Sequence, residues 1–374
     1  MLVMLQFSKY QGLGNDFLLM DGREGQLTER VIKPDPAWVG QICDRRFGIG
    51  ADGLILALPP RADGDLRMQI FNADGSQAEM CGNGIRCLTR FLADSDGELC
   101  GQRWNIETLA GMICPILQED GQICVDMGSP FLDPESIPTT LIIGSAGLPQ
   151  GELHLDGTSL KVAAVGMGNP HLIVPVEDLD TIPFENWGQT LEQHQAFPAK
   201  TNVHFLQIHG PNQLEIRVWE RGSGPTLACG TGACASLVAA CLLGLSDDNA
   251  DVFLPGGVLQ ISWPGRRGSV FMTGPAEAVF DGVLTPLLTP SHTEALPQDD
   301  HQVGSVEDHE YLAKLDGSRI IRDSSLENDK NFELDSLEEV NDCLTSPLTE
   351  IVIKPVADSL GHHTRIGLER YGQI

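Results

Sequence analysis

Positive charge is scarce in this chain. Its 374 residues carry 24 Lys and Arg against 52 Asp and Glu, a formal net charge of −28 at pH 7. So acidic a protein repels phosphate backbones and anionic headgroups, which excludes nucleic acid and membrane as partners. A small anionic substrate is not excluded, because a local site can oppose the global field. Long apolar runs are lacking too, so no segment reads as a membrane span. The start, Met1-Leu-Val-Met-Leu-Gln-Phe-Ser-Lys-Tyr10, has neither a basic leader region nor a cleavage site, and a cytoplasmic protein is expected. There are ten Cys but no C-x-x-C pair, so no zinc knuckle and no metal site is read. The thiols read as reduced. Cys43, Cys100, Cys114, Cys124, Cys241 and Cys343 are expected to be small buried apolar residues. What remains, 41% apolar and 20% charged, is the composition of a globular protein long enough for two cores.

Within that background one short turn occurs twice. The first copy is Cys81-Gly82-Asn83-Gly84 and the second is Cys229-Gly230-Thr231-Gly232. Each leads into an apolar run, Ile85 to Ala93 and Ala233 to Leu243, so each Cys is expected at the mouth of a helix.

The flanking chain repeats as well. Gly-Leu-Gly-Asn15 lies 66 residues before Cys81, and Gly-Met-Gly-Asn169 lies 60 before Cys229. Asn72 and Glu220 each lie nine residues before their Cys. Gly53 opens a strand 28 residues ahead, and Asn202 opens one 27 ahead. Short alternating segments such as Leu66–Phe71 and Leu214–Trp219 read as strands. The expectation is an α+β protein of two pseudo-symmetric halves. Each half is a mixed, mostly antiparallel sheet wrapped round one central helix. Residues 1–127 with about 275–288 form the first half, and 128–274 form the second, beyond a Pro-rich passage at 130–149. Residues 289–374 carry 18 acidic against 7 basic residues, a net of about −11, and no landmark of the repeat. They read as an acidic extension, partly disordered or weakly packed, with a helix at 334–344 and a strand at 351–356.

A helix N-terminus offers unpaired N–H groups and the positive end of a dipole. Glycine lets that backbone approach an anion. Two such ends at one site grip a carboxylate, and they lower the pKa of a thiol placed there. Two thiols on opposite faces of one carbon can invert it. One thiolate removes the α-proton, and the other thiol returns a proton to the far face. Blander readings stand beside this one. A single C-G-x-G turn is a plain helix entry, and only the matched pair points to chemistry. Asn15 and Asn169 read equally as left-handed turn residues. Asn72 and Asn202 read also as turn tips, Glu220-Arg221 as a solvated pair, and His171 as a surface side chain. Cys87 and Cys234 read as core.

Gly12-Leu-Gly-Asn-Asp-Phe17, Phe71-Asn-Ala-Asp-Gly-Ser76, Cys81-Gly-Asn-Gly-Ile-Arg-Cys87, Gly168-Asn-Pro-His171, Glu220-Arg-Gly222 and Ala228-Cys-Gly-Thr-Gly-Ala-Cys234 together closely resemble the diaminopimelate epimerase family, from about Phe7 to Leu288. The resemblance implies a cofactor-independent racemase, without metal, that interconverts LL- and meso-2,6-diaminopimelate for lysine and peptidoglycan synthesis. It implies Cys81 and Cys229 as acid and base. Gly82, Asn83, Gly230 and Thr231 would hold the reacting carboxylate, and Asn15, Asn72, Asn169, Asn202, Glu220 and Arg221 the rest of the substrate. His171 and Glu220 would tune the thiols. Many members carry Gln where this chain has Gly53, so one contact is missing or replaced. Gly53 and the first Cys string look like the plant and cyanobacterial branch, and a bacterial cytosolic protein is expected. A proline racemase or hydroxyproline epimerase, or a non-catalytic binding protein of the same fold, is the alternative. A homodimer is left open.

Overall fold

The structure, a computed structural model, describes residues 5–97, 101–155 and 157–284. Cys100, Cys343 and the acidic extension, with the helix and strand expected in it, lie outside the described residues.

The first sheet starts from the hairpin Gln6–Gly12 and Asn15–Asp21. Asn15–Asp21 runs parallel to Gly53–Leu58, which pairs antiparallel with Leu66–Asn72. That strand takes Gln77–Ala78 antiparallel and Ile106–Thr108 parallel, and Ile106–Thr108 turns back on Gly111–Ile113. The second sheet repeats this series. Thr158–Gly166 pairs antiparallel with Pro170–Pro175, which runs parallel to Asn202–Gly210. Asn202–Gly210 pairs antiparallel with Gln213–Glu220. Gln213–Glu220 takes Gly224–Thr226 antiparallel and Asn249–Leu254 parallel, and the last turns back on Gly257–Ser262. The same order of antiparallel and parallel pairings in both sheets is the duplication in hydrogen-bond form. It also aligns the landmarks: Phe17 stands opposite Gly53 as His171 stands opposite Asn202. The mixed, mostly antiparallel halves expected from the repeat are therefore present.

The halves are laced together at their edges. Glu277–Val283 returns from the second sheet to pair with Gln6–Gly12. Ile116–Leu117 and Ile123–Asp126 leave the first sheet and join the second beside Phe271–Gly274. The chain thus changes sheets between Ile113 and Ile116, ahead of the boundary that the Pro-rich passage had marked at 127. Pro and Gly reported a loop there, but edge pairing across that loop is a long-range event that they do not encode.

Five helices are described: α1 (Glu29–Ile32), α2 (Pro36–Cys43), α3 (Gly82–Asp96), α4 (Phe184–Glu192) and α5 (Gly230–Leu242). Helices α3 and α5 are the two expected from the Cys turns. Helix α5 is apolar all round, and Ala233 to Cys241 are all buried, as a helix enclosed by sheet must be. One continuous core holds Ile85, Leu88 and Leu92 of α3 with Leu237 and Val238 of α5. The strand Gly53–Leu58 shows how the layers meet. Ile55 and Ala57 face that central core, while Leu54, Leu56 and Leu58 face a second core under α2. A third core lies between the second sheet and α4. Each fully buried Leu or Ile here contributes about 1.5–3 kcal/mol. Cys43, Cys87, Cys234 and Cys241 are core residues as expected, but Cys114 and Cys124 are only half-buried. Cys114 lies in the link between the two sheets and Cys124 on Ile123–Asp126 near the end of the second, and Cys114 Sγ reaches the Asn105 side-chain oxygen at 3.4 Å. No helix among the described residues is long and apolar enough to cross a membrane.

Candidate active site

Cys81 and Cys229 hold the same position in two helices. Each is the residue just before the first helical turn, in extended backbone, with φ −140° and ψ 122° at Cys81 and φ −135° and ψ 105° at Cys229. There a side chain meets the free N–H groups of the first turn. Cys81 Sγ accepts from the Gly84 N–H at 3.4 Å. Cys229 Sγ lies 3.6 Å from Thr231 Oγ1. Both residues line one cavity of about 1100 Å³. Met272, on the strand Phe271–Gly274, sits against both mouths. A Cβ at Gly230 would stand 2.8 Å from its Sδ, and one at Gly82 would stand 3.1 Å from its Cε. The first glycine of each turn therefore lets the two helix ends close on a single side chain.

Most of the predicted residues meet here. Asn15, Asn72, Asn83 and Asn169 line the cavity, as do Glu220, Arg221, Thr231 and the backbones of Gly82 and Gly230. Neither Asn15 nor Asn169 has a left-handed backbone, so the turn-residue reading of both falls away. The Asn15 amide nitrogen donates to Asp52 at 2.7 Å, and its oxygen accepts from Asn83 Nδ2 at 3.3 Å. Asn83 Oδ1 is buried without a hydrogen-bond partner among the described residues, beside Gly230. Glu220 accepts from Thr226 Oγ1 at 2.6 Å, and burial raises its pKa.

Two predicted residues stand behind the cavity wall. Asn202 is buried, donates to the Pro170 carbonyl at 2.9 Å and accepts from the Arg221 backbone N–H at 3.0 Å. It fixes the strand end that carries Arg221 and does not line the cavity. His171 is fully buried, not a surface side chain, because its strand lies inside the second sheet. Its Nε2 meets Asn169 Oδ1 at 2.7 Å, and its Nδ1 meets His204 Nε2 at 2.8 Å. Burial pushes His171 far below the usual imidazole range and His204 down to about 3, so both rings are neutral.

The thiols behave differently from the expectation that helix ends alone would set. Burial raises the pKa of Cys81, against the N–H groups of Gly84 and Asn83 and the nearby Arg86 cation. Burial raises that of Cys229 well above its ordinary value, and the Glu220 carboxylate adds to it. Desolvation of a buried thiolate outweighs the pull of a helix end. The environment is thus asymmetric in degree: the Glu220 carboxylate opposes both thiolates, but at Cys81 two backbone N–H groups and Arg86 work against it, whereas at Cys229 it is the largest influence after burial.

Several site residues were not singled out from the sequence. His204 sits two residues after Asn202, as His171 sits two after Asn169, and that matched offset was the available signal. Arg45 and Asp52 line the cavity, with Arg45 Nη2 donating to Asp52 at 2.7 Å. They adjoin Gly53, where a Cβ would stand 2.4 Å from the Phe71 carbonyl oxygen. No side chain fits at that position unless the strand shifts, and Arg45 and Asp52 present the polar groups in its neighbourhood. Arg86, fully buried, donates to the Gly82 carbonyl at 3.3 Å and the Pro275 carbonyl at 3.1 Å, tying the first turn of α3 to the strand crossover.

Comparison with known proteins gives the family and the fold. The model of the diaminopimelate epimerase family matches residues 7–132 and 163–279. A diaminopimelate epimerase of Prochlorococcus marinus (strain MIT 9313) is 88% identical over 300 residues, covering 80% of this chain and 99% of that protein. One of Acaryochloris marina (strain MBIC 11017) is 53% identical over 281 residues, 75% of this chain and 98% of that protein. Among solved structures, a hydroxyproline epimerase from Agrobacterium vitis superposes with a TM-score of 0.55 at 16% identity, covering 76% of this chain and 94% of the other. A PhzF-family phenazine biosynthesis protein from Bacillus anthracis gives 0.54 at 15%, covering 76% of this chain and all of the other. Those two share the fold. The family match takes in both Cys turns and every landmark of the repeat, and the chain belongs to the diaminopimelate epimerase family.

Proposed function

We propose that the chain epimerises LL-2,6-diaminopimelate to the meso form, with Cys81 and Cys229 as the acid and base. The observation that carries the reading is the pair of Cys-capped helix ends opening on one cavity. The substrate α-carboxylate lies against the N–H groups of both first turns, which stabilise the charge that builds up as the α-carbon loses its proton. Cys81 is the thiolate of the resting pair: Glu220 opposes both thiolates, but two backbone N–H groups and Arg86 offset it at Cys81, while burial and Glu220 push Cys229 well above its ordinary value. It removes the α-proton, and the Cys229 thiol supplies a proton to the opposite face. The roles reverse for the return reaction, and the two thiols titrate as one coupled unit. Asn15, Asn72, Asn169, Glu220 and Arg221 take the distal amino-acid head, Glu220 its ammonium and Arg221 its carboxylate. Asn202 and His171 act through Arg221 and Asn169. The chemistry needs reduced thiols, which fits a cytosolic enzyme.

The runner-up, a proline or hydroxyproline epimerase, shares the fold but has no use for a second charged head. A non-catalytic binding protein has no need of both thiols. In deuterated water, without added pyridoxal phosphate, the protein is expected to place deuterium at the α-carbon of LL-diaminopimelate. Exchange confined to proline, or none, overturns the reading.

A further inference from the structure

Behind Cys229 lies a second grouping that epimerisation does not use as such. A donor atom from each of Cys229, His204 and His171 lies within 4.8 Å of the others, and all three residues are buried. The hydrogen bonds fix the tautomers. Asn169 Oδ1 can only accept, so His171 carries its proton on Nε2. His171 Nδ1 is then a bare lone pair that accepts from His204 Nε2–H. That leaves His204 Nδ1 unprotonated, and it is buried with no hydrogen-bond partner among the described residues. The ring meets Gly232 at its Cε1 corner, where a Cβ would stand 2.1 Å from Cε1 and 2.7 Å from each ring nitrogen. Gly232 also gives its backbone N–H to Cys229. The His204 ring and the Cys229 sulfur therefore meet at one glycine.

We infer that Cys229 Sγ and His204 Nδ1, with His171 behind them, form a binding site for one soft divalent cation of the zinc type. A neutral imidazole nitrogen and a thiolate are the donors such a cation selects. The His171 acceptor on the far nitrogen of His204 is the kind of partner that orients a ligating imidazole. Donor atoms round a tetrahedral zinc stand roughly 3.5 Å apart, so the group closes by about 1 Å to hold one. On binding, the Cys229 S–H bond breaks and its proton leaves to solvent. Sulfur and Nδ1 each give an electron pair to the metal, which keeps its oxidation state. Cys229 also lines the substrate cavity, which gives the ion a route to the sulfur. Bound there, it takes one of the two acid–base thiols out of service. The site makes the protein a target of reversible inhibition by zinc-class metals.

The test is optical and uses Co²⁺ alone, on the reduced full chain, without oxygen or substrate. One equivalent is expected to give tetrahedral cobalt bands with a thiolate-to-metal charge-transfer band, removed by chelator. The charge-transfer band is expected to survive in Cys81→Ala, to vanish in Cys229→Ala, and to need at least about tenfold more Co²⁺ in His204→Gln and about tenfold more in His171→Gln. Zn²⁺ is expected to displace the cobalt and to inhibit epimerisation with the same order of sensitivity across wild type and the two histidine variants. Absence of the band in the wild type overturns the proposal. So does a band that follows Cys81 in place of Cys229, or one indifferent to both histidines. Circular dichroism identifies any variant that does not fold, and the Cys81 and Cys229 variants with the remaining histidine variant then decide. Because cobalt is read without substrate, the outcome is separate from that of the epimerase assignment.

Discussion

The imidazole of His204 lies flat enough on Gly232 that a Cβ at that glycine would stand 2.1 Å from its Cε1. Gly232 is in the first turn of α5, and His204 belongs to a strand buried in the second sheet. Gly232→Ala therefore forces the helix end that carries Cys229 away from the strand that carries His204. Overpacking of this kind costs about 1–3 kcal/mol, and here it displaces the thiol as well. The expected result is a folded protein of lowered melting temperature whose kcat falls by at least about tenfold. Wild-type kcat in Gly232→Ala would show that the contact is slack.

Removal of either sulfur is expected to stop epimerisation. Cys81→Ala and Cys229→Ala each delete one of two obligatory proton carriers, a loss of about 10²–10⁴-fold or more in kcat/KM. The two variants are expected to differ in another assay. Each retains one thiol, and alkylation of Cys81 in Cys229→Ala should proceed at lower pH than alkylation of Cys229 in Cys81→Ala. The N–H groups of Gly84 and Asn83 and the Arg86 cation offset Glu220 at the first thiol, while Glu220 and burial raise the second well above its ordinary value. The reverse order would exchange the resting roles.

How much of this could be read beforehand follows from how local each signal is. The Cys-Gly-x-Gly turns are legible because an N-terminal cap, a close backbone approach and an apolar run all lie within ten or so consecutive residues, a scale on which sequence and structure correspond directly. Their pairing was legible because Asn72 and Glu220 keep the same offset from their Cys, and Asn15 and Asn169, like Gly53 and Asn202, recur in the same order at nearly matched offsets. Asn202 occupied the right landmark, but which way an amide turns at a strand start depends on Arg221, nineteen positions on. His204 was hidden inside the apolar run Val203-His-Phe-Leu206, where one polar residue gives no sign of an unpaired nitrogen. The raised thiol pKa values were out of reach for the same reason. The helix end is a local feature, but the depth of burial that outweighs it is set by Met272 and the walls of both sheets.

The buried histidines make acid stability a sensitive readout. Both His171 and His204 have pKa values depressed below the ordinary 6.5, His204 to about 3. The unfolded chain thus binds protons that the folded one refuses. Stability from this source is complete above about pH 6.5 and is lost as the pH falls towards 3. Between pH 7 and pH 4 the denaturation midpoint of wild type is expected to fall more steeply than that of His204→Gln, which has no imidazole to protonate there. Parallel curves for the two proteins would mean that the pair is solvated or already charged.

Two thiols converging on one cavity also invite oxidation. A mild oxidant that yields a disulfide between Cys81 and Cys229 removes both proton carriers and is reversed by a dithiol. Treated enzyme is expected to lose activity, to lose two titratable thiols and to regain both with reductant. In Cys81→Ala, the same treatment leaves no intramolecular partner for Cys229, and the two-thiol loss should not occur. Full activity after the wild-type thiols are consumed would place the two sulfurs apart.

The acidic extension gives the last prediction. The family match ends at residue 279, and the Acaryochloris marina relative is matched over 98% of its own length by 281 residues of this chain. The strand that closes the first sheet, Glu277–Val283, pairs with Gln6–Gly12, and Leu284 N–H donates to the Leu5 carbonyl at 2.8 Å. Every residue lining the cavity, and both helices that carry the thiols, precede that closure. A chain ending at residue 290 is therefore expected to keep the wild-type kcat and KM within about twofold. It also sheds a net of about −11 from 289–374, so its mobility on anion exchange should shift while its kinetics do not. A truncated chain that folds but loses activity would give the extension a part in the site itself. One that fails to fold would give it a part in the core.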